Sequence, residues 1–230
     1  MLHFVNKPVA VSEIGAVFGE NWGDAQPDQG QVMPWLPLGN GLAWLLSDPS
    51  SNQVDFRVLA NGLAQMPRWG GLTCDAPYSY AQHSLMVAAC LPPGLRSWGL
   101  LGHAHMVFLG DLTTIMRVMS TGAVDGLEQF AASYWNLVAA TQDAIRTAAG
   151  LPLEISTEDR EEIARAVLDV TFLEAQHLLT GRAASVKIAE LQSLGARPLK
   201  LKQPVKSRPW VDAADDWLTE ARRLLPGVRG

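Results

Sequence analysis

The sequence predicts an all-α protein, and three observations point there. Apolar residues recur at helical spacing through most of the chain beyond residue 54. Those runs open on Ser, Asp or Pro, and two end at Gly110 and Gly150, the residue types that start and stop helices. Strict apolar–polar alternation, the pattern of a half-buried strand, is scarce, and no internal repeat is visible.

The elements follow in order. Residues 1 to 35 are rich in Gly, Pro and Asp ("GENWGDAQPDQGQVMPW") and read as an irregular extension, with one short helix near Ser12 to Phe18. "GLAWLL" (41 to 46) fits either a short strand or a buried helical turn at that length. In "VDFRVLANGLAQM" Val54, Val58, Leu59, Leu63 and Met66 share one helical face. "YSYAQHSLMVAACL" opens with Ser79 and has Gln82 three residues on, the spacing of a capping box. "PGLRSWGLLGHAHMVFL" reads as one helix from Pro93, where a missing N–H costs little. Asp111 stands at the N-cap of "LTTIMRVMS". A long helix over "VDGLEQFAASYWNLVAATQDAIRTAAG" stops at Gly150. Another, "STEDREEIARAVLDVTFLEAQHLLT", has Ser156 as its cap and acids in its first turn, where the helix dipole favours them. Residues 197 to 210 hold Arg197, Lys200, Lys202, Lys206 and Arg208 and no acid, as a solvated basic linker would. An amphipathic helix over roughly Asp212 to Leu225 follows.

Composition bounds the function. The chain has 230 residues, 48% hydrophobic and 18% charged, enough for one substantial core. We divide it into an extension (1–35), a helical domain (36–195), and a basic linker with a C-terminal helix (196–230). A net charge of −5 argues against general nucleic-acid binding, which needs a basic surface. Cys74 and Cys90 form no CxxC pair, so a reducing cytoplasm is the simpler location. No basic-then-apolar leader is evident in the first residues. The apolar run after Arg96 has about 14 residues against the roughly 20 a membrane span needs, so it reads as a core helix.

One segment is more specific. "VDFRVLANGLAQMPRWGGLTCDAPYSYAQHSLMVAACLP" resembles the opening of HD-superfamily phosphohydrolases, closest to bacterial 5′-deoxyribonucleotidases and phage nucleotide phosphohydrolases. The likeness spans roughly residues 36 to 185 and is strongest in "RWGG…YSYAQHS". It implies an HD-type helical bundle. In that family two histidines and two aspartates hold a divalent cation that polarises a phosphoryl oxygen and activates water. An arginine grips phosphate and an aromatic ring packs on the nucleoside.

Carried over residue by residue, the likeness puts the first metal histidine on His83, which is intact. The His-Asp pair falls on Gly102 and His103 of "LLGHAHMVFLGD", so one ligand is lost and an imidazole replaces a carboxylate. The catalytic Glu falls on Met106, and the last metal aspartate on Val167, seven residues before Glu174. Asp169 lies about 200° around the helix from Val167. His105 lies equally far from His103, so the two histidines cannot reach one metal from a regular helix. Asp111 matches the carboxylate of the family's "GD", as a catalytic residue or simply a helix cap. Arg68 and Trp69 match the Arg–aromatic pair, and Arg117 the cation after "GD", so these three are the candidate ligand-binding residues.

These substitutions imply a phosphohydrolase-like pseudoenzyme. It would bind a (deoxy)nucleotide or phosphate-bearing small molecule without efficient turnover. An active metal-dependent phosphohydrolase with a rearranged site is the alternative, and a ligand-free protein-interaction module a third. No cofactor is expected. If His83 and His103 hold a metal, two imidazoles suit Zn, Co or Ni better than Mn. A homodimer fits the resemblance, and no membrane partner is expected.

Overall fold

The computed structural model describes residues 35–73, 76–111, 128–200 and 204–228. The expected helices at Ser12 to Phe18 and after Asp111, together with Arg117 and Cys74, lie outside the described residues. Within them the protein is all-α apart from one small hairpin.

That hairpin pairs β1 (Trp35–Pro37) with β2 (Ala43–Leu45), antiparallel, with Leu36 opposite Trp44. "GLAWLL" is therefore a strand. The middle residue of β2 is the fully buried Trp44, whose ring stacks on Phe108 at 3.8 Å between centroids. Helix α1 (Phe56–Gln65) follows. Its cap Asp55 accepts the Arg57 and Val58 amides at 2.7 and 3.1 Å, and its stripe turns inward with Leu59 and Leu63 fully buried.

Helix α2 (Tyr80–Cys90) carries the capping box its sequence announces: Ser79 Oγ accepts the Gln82 amide and Gln82 Oε1 accepts the Ser79 amide. Most of its residues are buried, because it packs against four neighbours and so needs no polar face. One is α3 (Arg96–Leu101), which approaches so closely at Gly99 that a Cβ there would lie 2.5 Å from the Leu91 side chain.

The helix expected from Pro93 to Leu109 is not continuous. A 3-10 turn (Pro93–Leu95) leads into α3, residues 102–105 form turns, and α4 (Met106–Leu109) resumes. The reason lies on α5 (Glu128–Ala149). Its buried Gln142 donates Nε2 to the carbonyls of Leu101 (3.4 Å) and Gly102 (3.0 Å), and meets His105 Nδ1 at 2.6 Å. The Gly102 carbonyl, satisfied from another helix, needs no amide of its own turn, while the Leu101 carbonyl still accepts the Ala104 amide.

Helix α6 (Thr157–Leu178) has the expected Ser156 cap and first-turn acids. Helix α7 (Gly181–Ser193), absent from the sequence reading, packs on α6. The described part of the basic linker is tied down rather than freely solvated. Asp169 receives the Arg197 amide, Nε and Nη2 at 2.7, 3.1 and 2.8 Å. Further along, the Val205 amide donates to His177 Nδ1, and Gln82 bonds the backbone of Lys206 and Arg208. The linker delivers α8 (Trp210–Leu224) onto α1 and α2, where Ala213, Ala214, Trp217, Leu218 and Ala221 are buried. The C-terminal helix thus shares the main core. No helix among the described residues is long and apolar enough to cross a membrane.

Candidate functional site

The strand-like residues flanking the segment from Pro67 to Tyr78 hold the site together. The Arg68 amide donates to the Tyr78 carbonyl at 2.7 Å, and the Tyr80 amide to the Met66 carbonyl at 3.1 Å. Arg68 is thereby fixed beside the first turn of α2. The next three residues, Trp69 (φ 58°), Gly70 (62°) and Gly71 (75°), are all left-handed. Two glycines take this backbone freely. A tryptophan there is strained, by roughly 1–3 kcal/mol, and is held by its surroundings. Its ring packs against Phe172, Ala175 and Leu191 of α6 and α7.

Around this turn the structure gathers most of the residues singled out in the sequence. Tyr80 is their hub. The Arg68 guanidinium lies 5.0 Å from its ring centre, the His103 ring 5.4 Å and the His83 ring 6.4 Å, and its hydroxyl bonds Asp111 Oδ2 at 2.8 Å. His83 and His103 meet edge to face at 4.7 Å. The broken helix turns His103 toward α2, whereas His105 goes to Gln142. Met106 is buried in the main core. Sequence reasoning did not assign Tyr80 to the site.

Sequence reasoning also gave no central role to Glu174, the most important group here. It is fully buried on α6. One carboxylate oxygen accepts Arg68 Nε at 2.9 Å, and the other meets His83 Nδ1 at 2.7 Å. Arg68 Nη2 donates to Thr171 Oγ1 at 3.2 Å, one turn away on the same helix face. Val167, on that face too, packs against the α2–α3 cluster. Asp169 points the other way, to Arg197, and so stays out of the site. Glu174 carried one legible signal: a carboxylate on the otherwise apolar "VTFLEA" face, two turns from Val167.

The cluster's electrostatics reach the buried Tyr78 phenol, which burial and the neighbouring Glu174 carboxylate push above its usual range. Burial pushes the His83 imidazole below its usual value of 6.5; Glu174 opposes this and Arg68 reinforces it. His83 is therefore neutral at pH 7 and donates Nδ1–H to the carboxylate. Burial would raise Glu174, but its interactions with His83 and Arg68 outweigh that and hold it below the usual 4.5. One cation, one anion and one neutral imidazole make a buried group of near-zero net charge, the arrangement that a low-dielectric interior tolerates.

Both shifts are downward, so both favour the unfolded state as acid is added. Below about pH 6.5 an unfolded His83 takes up a proton that the folded one resists, and Glu174 repeats this below about 4.5. Unfolding free energy is expected to be flat above pH 7 and to fall below 6.5, by at most about 1.4 kcal/mol per pH unit for one proton. Urea titrations between pH 8 and 5 measure it. In His83→Gln the first part of the decline should vanish; an unchanged decline would exclude His83 as its source.

A hard divalent cation does not fit these donors. The likeness asks for His and carboxylate ligands, but Gly102 has no side chain and Val167 is apolar. Glu174 is engaged by Arg68 and His83, and Asp111 by Tyr80. Two imidazoles without a dedicated carboxylate suit neither Mg²⁺ nor Mn²⁺. Among the described residues no group of three or more His, Cys, Asp or Glu is placed to hold a metal ion.

No family model matches the chain. It is similar to an uncharacterized protein of Rhodobacter capsulatus, 35% identical over 91 residues. That similarity covers 36% of this chain and 46% of the relative, so the chain spans under half of that protein's length.

Proposed function

We propose that the chain is a phosphohydrolase-like protein of the HD type in which metal-dependent turnover has been lost and binding of a (deoxy)nucleotide or phosphate ligand retained. The observation that carries this reading is the double engagement of Glu174. The histidine that the likeness assigns to metal and the arginine it assigns to phosphate are bonded to one buried carboxylate. A protein cluster of balanced charge stands where the likeness expects a cation. On the ligand side Arg68 keeps part of its guanidinium edge, with Tyr80 and Trp69 beside it. A cytoplasmic location and a homodimer go with this reading.

The second reading is an active enzyme with a rearranged site, and one observation favours it. His83 and His103 are adjacent, and Tyr80 joins them to Asp111. A thermal-shift panel of deoxynucleoside 5′-mono-, di- and triphosphates, run in EDTA and again with Mn²⁺, Co²⁺ or Zn²⁺, separates the two. At least one nucleotide is expected to raise the melting temperature in EDTA, with Arg68→Ala removing the shift. Stabilisation that requires metal favours the active enzyme. No shift under any condition favours a ligand-free interaction module.

A further inference from the structure

Arg68 has five N–H donors in a rigid plane. Nε and Nη2 share one edge, where Glu174 takes Nε and Thr171 takes Nη2. Nη1 makes no hydrogen bond among the described residues. The end-on edge, Nη1 with the second hydrogen of Nη2, therefore meets no acceptor for Nη1 among the described residues. Tyr80 and Trp69 lie 5.0 and 5.6 Å from the guanidinium carbon and limit its tilt. On the other arm of Glu174, the Nδ1–H of His83 is fixed, which leaves the imidazole lone pair on Nε2. That atom is buried and has no hydrogen-bond partner among the described residues.

Resting on the reading above, we propose that Glu174 is the positioning residue of the ligand site. It orients Arg68 end-on toward the two oxygens of a phosphate group, and it holds His83 in the Nδ1–H form with Nε2 as an acceptor. Its role is exerted through those two residues. Free orthophosphate and a nucleotide 5′-phosphate share the chemistry that Arg68 would meet.

The test uses the full chain and two probes, 2′-deoxyadenosine 5′-monophosphate and inorganic phosphate. Their binding is measured by calorimetry on wild type, Glu174→Gln and Glu174→Asp. Long-range ¹H–¹⁵N spectra of the histidine side chains report the His83 tautomer. Glutamine keeps the volume but offers an NH₂ where a second donor arrives, so it cannot serve Arg68 and His83 together. The wild type is expected to show the Nδ1–H tautomer and to bind the nucleotide. Glu174→Gln should bind it at least tenfold more weakly and lose the pure Nδ1–H form. The aspartate variant should keep that tautomer and bind with intermediate affinity. Binding of both probes, or of the nucleotide alone, supports the proposal and tells whether the phosphate suffices. An Nε2–H tautomer in the wild type overturns it, as does a folded glutamine variant that binds the nucleotide undiminished. If Glu174→Gln does not fold, the aspartate variant and the wild-type tautomer decide. A wild type that binds neither probe overturns the proposed function, and the positioning role falls with it.

Discussion

Glu174→Ala is expected to destabilise the protein by about 3–5 kcal/mol, the range for removing one partner of a buried ion pair. The cause is what the carboxylate leaves behind. Arg68 keeps its charge at 9% exposure without an anion, and the fully buried His83 loses the acceptor of its Nδ1–H. The fully buried His83 cannot turn to water without opening α2 from α6. The surface offers the contrast. Arg57 and Asp215 also form an ion pair, but their side chains are 49% and 62% exposed. Asp215→Ala should therefore change stability by no more than about 1 kcal/mol. Urea unfolding at pH 7.5 compares the two variants. Equal effects would mean that the buried cluster is not the electrostatic centre of the fold.

Trp217→Ala is the second large effect, about 3–5 kcal/mol by the usual cost of emptying an aromatic site in a core. The side chain is fully buried on α8, between Ala213, Ala214, Leu218 and Ala221 on its own helix and the α1–α2 pair beneath. Chain continuity makes α8 a tail, but packing makes it a wall of the main core. Because α2 carries Tyr80 and His83, loosening α8 should also reach the site. Thermal unfolding followed at two wavelengths, one reporting helix and one tryptophan, checks this. A single cooperative transition shifted to lower temperature is expected. Early, separate loss of α8 with the rest unchanged would contradict the shared core.

Local signals in the sequence were enough for the elements that local chemistry specifies. The Ser79–Gln82 box and the Ser156 cap each depend on residues within three positions of one another. The break in "LLGHAHMVFLGD" was not legible, because the group that makes it, Gln142, lies on another helix. The site divides the same way. The segment around Arg68 and His83 stood out through its resemblance, and the structure sets His83 against His103 and Arg68 over the ring of Tyr80, whose hydroxyl meets Asp111. Glu174 shares the helix face of Val167, which made it only a distant alternative ligand from the sequence. Its two hydrogen bonds span 106 and 91 residues. Trp69 was read as a ring for a base, and its packing against Phe172 and Leu191 gives it a structural part as well.

The proposed function makes one claim of "LLGHAHMVFLGD", His83 and Arg68 together: their charge-balanced cluster does not support metal-dependent turnover. Phosphate release from deoxynucleoside monophosphates tests it most directly. It is measured on protein freed of metal and then supplied with Mn²⁺, Co²⁺, Ni²⁺ or Zn²⁺, beside His83→Ala. Release indistinguishable from that of the variant is expected with every ion. Metal-dependent turnover that His83→Ala abolishes would contradict it.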